Sequence, residues 1–157
     1  MFSKVKSIVL NGLDGNLVEI QTDIENGIPE FEIVGLPDAS VREAKKRIEA
    51  AIKNSKMEFL NKKILINLAP ANIRKEGSCL DLAMAIGILI ANRYITNLDT
   101  NELVNTIFLG ELSLDGKINR INGILPMCIE AKNLGIKTVI LPNANVNEAA
   151  VISDLNI

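Results

Sequence analysis

At 157 residues the chain has the length of one domain, and it can bury a core without disulfide or metal staples. A net charge of −2 excludes bulk attraction of polyanions, and the absence of histidine excludes histidine catalysis and histidine metal sites. Hydrophobic residues make up 48% and aromatics only 3%, so the core is aliphatic. Two cysteines, Cys79 and Cys128, are low usage for this size. They point to free thiols in a reducing compartment, the cytoplasm. The N-terminus lacks the apolar segment of a secretion signal, and the longest apolar run, Leu82 to Ala91, is too short to span a bilayer.

Val5 to Leu10 reads as a strand, closed by the double turn signal Asn11-Gly12 and Asp14-Gly15. Leu17 to Thr22 alternates apolar and polar, and Glu30 to Val34 alternates again after a turn built on Asn26-Gly27. These three predict an antiparallel meander. Ser40 and Glu43 fit a capping box, opening a helix whose apolar face is Val41, Ala44, Ile48, Ala51 and Ile52. Arg42, Lys45, Lys46 and Arg47 surround that face; they read either as a phosphate-facing helix or as a solvated surface. Lys63 to Leu68 is nearly all apolar and predicts a strand covered on both faces.

The strand leads into a polar turn, Pro70 to Cys79, and then into an apolar helix from Leu80 to about Asn92, with Gly87 placed for close packing. Tyr94 to Asn105 is a polar connection with room for a short helix. Thr106 to Leu114 predicts one strand, Asp115-Gly116 a hairpin, and Lys117 to Ile121 the return. Ile124 to Leu134 predicts a helix closed by Gly135, followed by a buried strand at Thr138 to Leu141 and a last helical turn from Val146.

Two motifs bear on chemistry. Five residues separate Gly110 from Gly116-Lys117, where a P-loop has four, and Ile118 follows in place of a hydroxyl residue. The turn before the apolar helix sets Ser78 beside Cys79 at a helix N-terminus, where free N–H groups and nearby Arg74 and Lys75 could activate a thiol. The bland alternative makes Ser78 a helix N-cap and Cys79 a small residue at the core rim.

These residues carry a resemblance. Lys75-Glu76-Gly77-Ser78-Cys79 resembles the Lys-Asp-Gly-Pro-Ser turn that holds the nucleophile of Lon-type proteases. Leu109-Gly110-Glu111-Leu112-Ser113-Leu114-Asp115-Gly116 resembles their Thr-Gly-Glu-Ile-Thr-Leu-Arg-Gly strand pair, and Asn122-Gly123 to Pro142 resembles the helix and strand after it. The likeness is closer to one branch, the N-terminal domain of the magnesium-chelatase-like ATPases, also called the YifB or ComM competence family. Its blocks follow in order: Phe31 to Asp38, Asn67 to Ala71, Lys75 to Ser78 with Asp81-Leu82, and Phe108 to Gly116.

The resemblance implies a single Lon-like domain over residues 1–157, of α/β class. The expected fold is that of ribosomal protein S5 domain 2, a mixed sheet packed with helices. It also implies loss of the peptidase dyad: Cys79 takes the serine position and Met127 that of the lysine, and a thioether accepts no proton. No catalytic residue, cofactor or metal is then expected in the chain, which reads as a fragment or a truncated product. ATP and magnesium belong to the ATPase module that follows in this family. The function implied is a non-catalytic accessory domain of a hexameric ATPase, aiding ring assembly or DNA engagement in branch migration and recombination. Further copies of the chain and DNA are its partners, with Arg42, Lys45, Lys46 and Arg47 as the DNA face. The alternative is a hydrolase using Cys79 as nucleophile.

Overall fold

The first turn signal produces a long hairpin in the computed structural model, which describes residues 1–157. β1 (Phe2–Asn11) pairs antiparallel with β2 (Asp14–Glu25), from Phe2 opposite Asp23 to Asn11 opposite Asp14. Gly12, at a φ of 64°, lets two residues close the connection.

The expected meander goes no further. β3 (Glu30–Val34) does not pair with β2, because β4 (Lys63–Ala69) lies between them. β4 runs antiparallel to β2, with Ile20 opposite Leu68, and parallel to β3, with Ile33 opposite Ile66. The cause is α1 (Ala39–Asn54), which joins the two strands. A helical crossover returns the chain parallel to the strand it left, and it buries the stripe of Val41, Ala44, Ile48, Ala51 and Ile52. The expected capping box is also corrected. Asp38 is the N-cap, and its carboxylate accepts from Val41 N–H at 2.8 Å. Ser40 already lies inside the helix, where its carbonyl accepts from Arg47.

Nor is β4 covered on both faces. Ile64, Ile66 and Leu68 are buried, whereas Leu65, on the opposite face, is 38% exposed. The sheet reads β3-β4-β2-β1-β5-β8, where β5 (Thr106–Phe108) and β8 (Thr138–Ile140) add parallel strands beyond β1. α2 (Asp81–Ala91) is the central helix and packs on β1, β2 and α1. Gly87 permits that approach: a Cβ there would lie 2.8 Å from Thr22 Oγ1, and Ser3 Oγ donates to its carbonyl at 2.7 Å.

The strand expected over Thr106 to Leu114 breaks in two. After β5 the chain is tied to the turn before α2, by Gly110 N–H on the Cys79 carbonyl and Leu82 N–H on that of Gly110, each 3.0 Å. It resumes as β6 (Glu111–Leu112), which forms a separate hairpin with β7 (Ile118–Asn119). The short helix in the polar connection is α3 (Thr100–Val104). α4 (Ile124–Asn133) packs on the β1–β2 hairpin, and α5 (Val146–Ala149) is the last helical turn. No helix is long and apolar enough to cross a membrane. The architecture is the mixed α/β class expected, a six-stranded mixed sheet packed with helices.

Candidate functional site

The turn before α2, the start of β6 and the start of α4 meet around a cavity of about 250 Å³. Its walls bring together the two positions the sequence paired, Cys79 and Met127, with Gly77, Ser78, Glu111 and Arg120 at the rim. Three long-range hydrogen bonds hold the turn against the start of α1. Asp38, besides capping α1, accepts from Gly77 N–H at 3.1 Å. Lys75 N–H donates to the Leu36 carbonyl and Asp38 N–H to that of Lys75, both at 2.9 Å.

Lys75 does not activate the thiol as the sequence suggested. Its side chain is fully buried and turns the other way, where the ammonium donates to the carbonyls of Gly35, at 2.7 Å, and Pro70. Burial lowers its pKa below the ordinary 10.5, and these two carbonyls receive the charge. Arg74 faces Glu76 at 3.4 Å. Lys132, the next lysine along α4 from Met127, is engaged with Ser153 and Asp154.

Cys79 is 8% exposed, and its Sγ donates to the Ile8 carbonyl at 3.6 Å. Burial pushes the thiol up to about 12, and the nearby Asp81 carboxylate pushes the same way. A thiol so placed keeps its proton at neutral pH. Across the cavity, Met127 offers only a thioether, and Arg120, ion-paired to Glu148, is a cation that cannot act as a base.

Ser78 is not a helix cap. α2 begins at Asp81 with no side-chain cap, and the Ser78 hydroxyl donates instead to the Glu111 carboxylate. Asn119 donates to the other Glu111 oxygen at 3.3 Å. The Ser78 bond, then that of Asn119, holds Glu111 below the usual carboxylate value against partial burial. At the neighbouring hairpin, Gly116 N–H bonds the Ser113 carbonyl and Lys117 N–H the Asp115 carboxylate, both at 3.0 Å. The N–H groups of Gly116 and Lys117, the pair a P-loop would turn toward phosphate, are thus spent within the hairpin.

Comparison with known proteins follows the same features. The family described as "Subunit ChlI of Mg-chelatase" matches residues 20–145. The chain belongs to the ChlI family. It is 38% identical over 145 residues to Competence protein ComM of Haemophilus influenzae, covering 92% of this chain and 28% of ComM. It is 40% identical over 144 residues to the uncharacterised YifB of Salmonella typhimurium, covering 90% and 27%. Lon protease 2 of Bacillus subtilis is 31% identical over 160 residues, covering 87% of this chain and 28% of the protease. The ChlI-family chain thus spans less than a third of the length of these relatives.

The candidate DNA face of this ChlI-family domain is less uniform than its sequence. Arg42 and Lys46 are exposed and Lys45 is half-buried. Arg42 also donates to the Pro37 carbonyl at 2.7 Å. Arg47 points away from them, to Asp81, a buried partner that sequence spacing does not announce. Lys53, eleven positions after Arg42, falls on the same side of α1 as Arg42 and Lys46. Glu111 and Arg120 were the site residues that motif reading left without a role. For Glu111 the sequence holds two signals, a carboxylate inside an apolar strand pattern and its place in the Gly110-Glu111 block.

Proposed function

We propose that this chain is a non-catalytic accessory domain of a ComM-type, magnesium-chelatase-like ATPase, and that it aids ring assembly or DNA engagement in branch migration and recombination. The observation that carries this reading is the cavity between Cys79 and Met127, where a proton-retaining thiol faces a sulfur ether. Covalent catalysis needs a nucleophile within reach of a base, and the ten lining residues offer the thiol no amine. In this reading ATP and magnesium are handled by the ATPase module, and the partners are further copies of the protein and DNA in the cytoplasm. The exposed cations of α1 supply the DNA contact.

The test has two arms. Casein and fluorogenic peptides are offered to the chain and to Cys79→Ala; equal, background-level turnover is expected, and hydrolysis lost in the variant would establish the nucleophile reading instead. Fluorescence anisotropy with labelled DNA then compares the chain with Arg42→Glu/Lys46→Glu. Weaker binding with unchanged melting is expected, and unchanged binding would remove α1 as the contact.

A further inference from the structure

The aliphatic core makes the placement of the aromatics informative. The chain holds only four phenylalanines and one tyrosine. Two of the phenylalanines stack on each other at the edge of the sheet: Phe31 of β3 and Phe59 of the α1–β4 loop, with centroids 6.0 Å apart and planes 25° apart. Both are half-buried. They line an open depression of about 420 Å³ with Glu49 and Lys53 of α1, with Glu30 of β3, and with Asn61 and Lys62 before β4, so its two lysines are matched by two carboxylates and the rings set its character. That volume suits a small planar ligand with its sugar. The Lys53 ammonium lies 5.9 Å over the Phe59 ring, and its side chain is 55% exposed. A solvated cation over the ring marks a face that another π-system can reach.

The depression adjoins the cationic stripe of α1 at Lys53. Arg42, Lys46 and Lys53 fall within about 40° of one another around α1 and extend over about 16 Å. Glu49 interrupts the stripe and pairs with Lys53 at 2.6 Å, so the phosphate track rests on Arg42 and Lys46. A charged track for phosphates that ends at an aromatic platform is the combination that holds an unpaired strand. A duplex offers the same phosphates but keeps its base faces within its own stack.

We propose that single-stranded nucleic acid binds here, its backbone along Arg42 and Lys46 and one base stacked on Phe59 in the depression. The incoming base takes the ring face, and the Lys53 ammonium moves from the ring to a phosphate of the strand. The site accepts any base, since every base has a π-face. This inference rests on the reading of α1 as the nucleic-acid contact and adds to it the class of strand.

The experiment is anisotropy with a labelled single strand and the matching duplex, on the wild-type chain, Phe59→Leu and Lys46→Glu. The wild type should prefer the single strand. Phe59→Leu should weaken single-strand binding about tenfold, the loss of one base stack, and leave duplex binding unchanged. Lys46→Glu should weaken both. If Phe59→Leu binds the single strand as the wild type does while Lys46→Glu fails on both, the stacking site is wrong and the α1 contact stands. If neither variant changes binding, both readings fall. Photocrosslinking of a 5-iodouracil strand to the wild-type chain needs no variant to fold. Adducts on Phe59 or Phe31 are expected, and adducts confined elsewhere would overturn the proposal.

Discussion

Arg47 holds Asp81 by both carboxylate oxygens, with Nε 2.6 Å from Oδ2 and Nη2 3.0 Å from Oδ1. Asp81 is 1% exposed, and its Oδ2 also accepts from Leu112 N–H at 3.1 Å. One carboxylate thus ties α1, α2 and the β6–β7 hairpin together beside the candidate site. Arg47→Met strands a buried charge and should cost about 3 kcal/mol, read from urea midpoints. Burial raises the Asp81 carboxyl above 3.8 even with Arg47 present. A raised carboxyl binds its proton more readily folded than unfolded, so stability falls as pH climbs through the raised value. The Arg47→Met penalty should therefore shrink toward pH 4 and be largest near neutrality. A penalty independent of pH would show that Asp81 is not its source.

Glu111 titrates in the opposite sense. Its carboxyl is held below the ordinary 4.5, first by the Ser78 hydroxyl and then by Asn119. A depressed acid contributes stability above its unfolded value, and that contribution is lost as pH falls through the folded value. Ser78→Ala should raise the Glu111 pKa toward 4.5 in a carboxyl-carbon NMR titration. It should cost no more than about 1 kcal/mol at pH 7, because the contact is open to solvent on one side. Below the folded pKa the variant and the wild type should converge. An unmoved Glu111 titration would mean that the hydroxyl is not its principal partner in solution.

The thiols give a third prediction. Cys79 is pushed up to about 12 and Cys128 to about 11, both by burial, and neither is in a disulfide. Ellman's reagent at pH 8 should leave both unreacted in the folded chain and label both in denaturant. Rapid labelling of Cys79 in the folded chain would show an accessible thiolate and reopen the nucleophile reading.

Much of this was legible from local chemistry. Asn11-Gly12 specified the first hairpin, the 3.6-residue period of Val41 to Ile52 specified α1, and the apolar run after Cys79 specified the central helix. The motif order placed Cys79 and Met127 on one cavity. What escaped were choices made by distant parts of the chain. β3 looks like the third strand of a meander, but β4, returned parallel to it by α1, takes the place beside β2. Arg47 looks like its cationic neighbours until Asp81, 34 positions away, needs a partner. Ser78 looks like a cap until Glu111, 33 positions away, accepts its hydrogen bond. Sequence spacing reports neighbours on one element; it does not report which residue of another element a buried charge will find.

The last prediction concerns the crossing of the β3–α1 turn over β4. Gly35 has a φ of 102°, and a Cβ built there would lie 2.3 Å from the Leu68 carbonyl oxygen. Its own carbonyl also accepts from the buried Lys75 ammonium. Gly77, in the turn at the candidate site, has a φ of 85°, yet a Cβ there would meet nothing within 4 Å. Both glycines carry the conformational penalty of a left-handed backbone, but only Gly35 adds a collision with backbone that has no room to move. Gly77→Ala should cost about 1–2 kcal/mol, the backbone penalty alone. Gly35→Ala should cost about 3 kcal/mol or more, as the turn, the strand beneath it and the Lys75 contact shift together. At this chain length the difference corresponds to several degrees in melting temperature, well within calorimetric resolution. Equal losses would place the penalty in conformation alone and show that the turn and β4 can separate without cost.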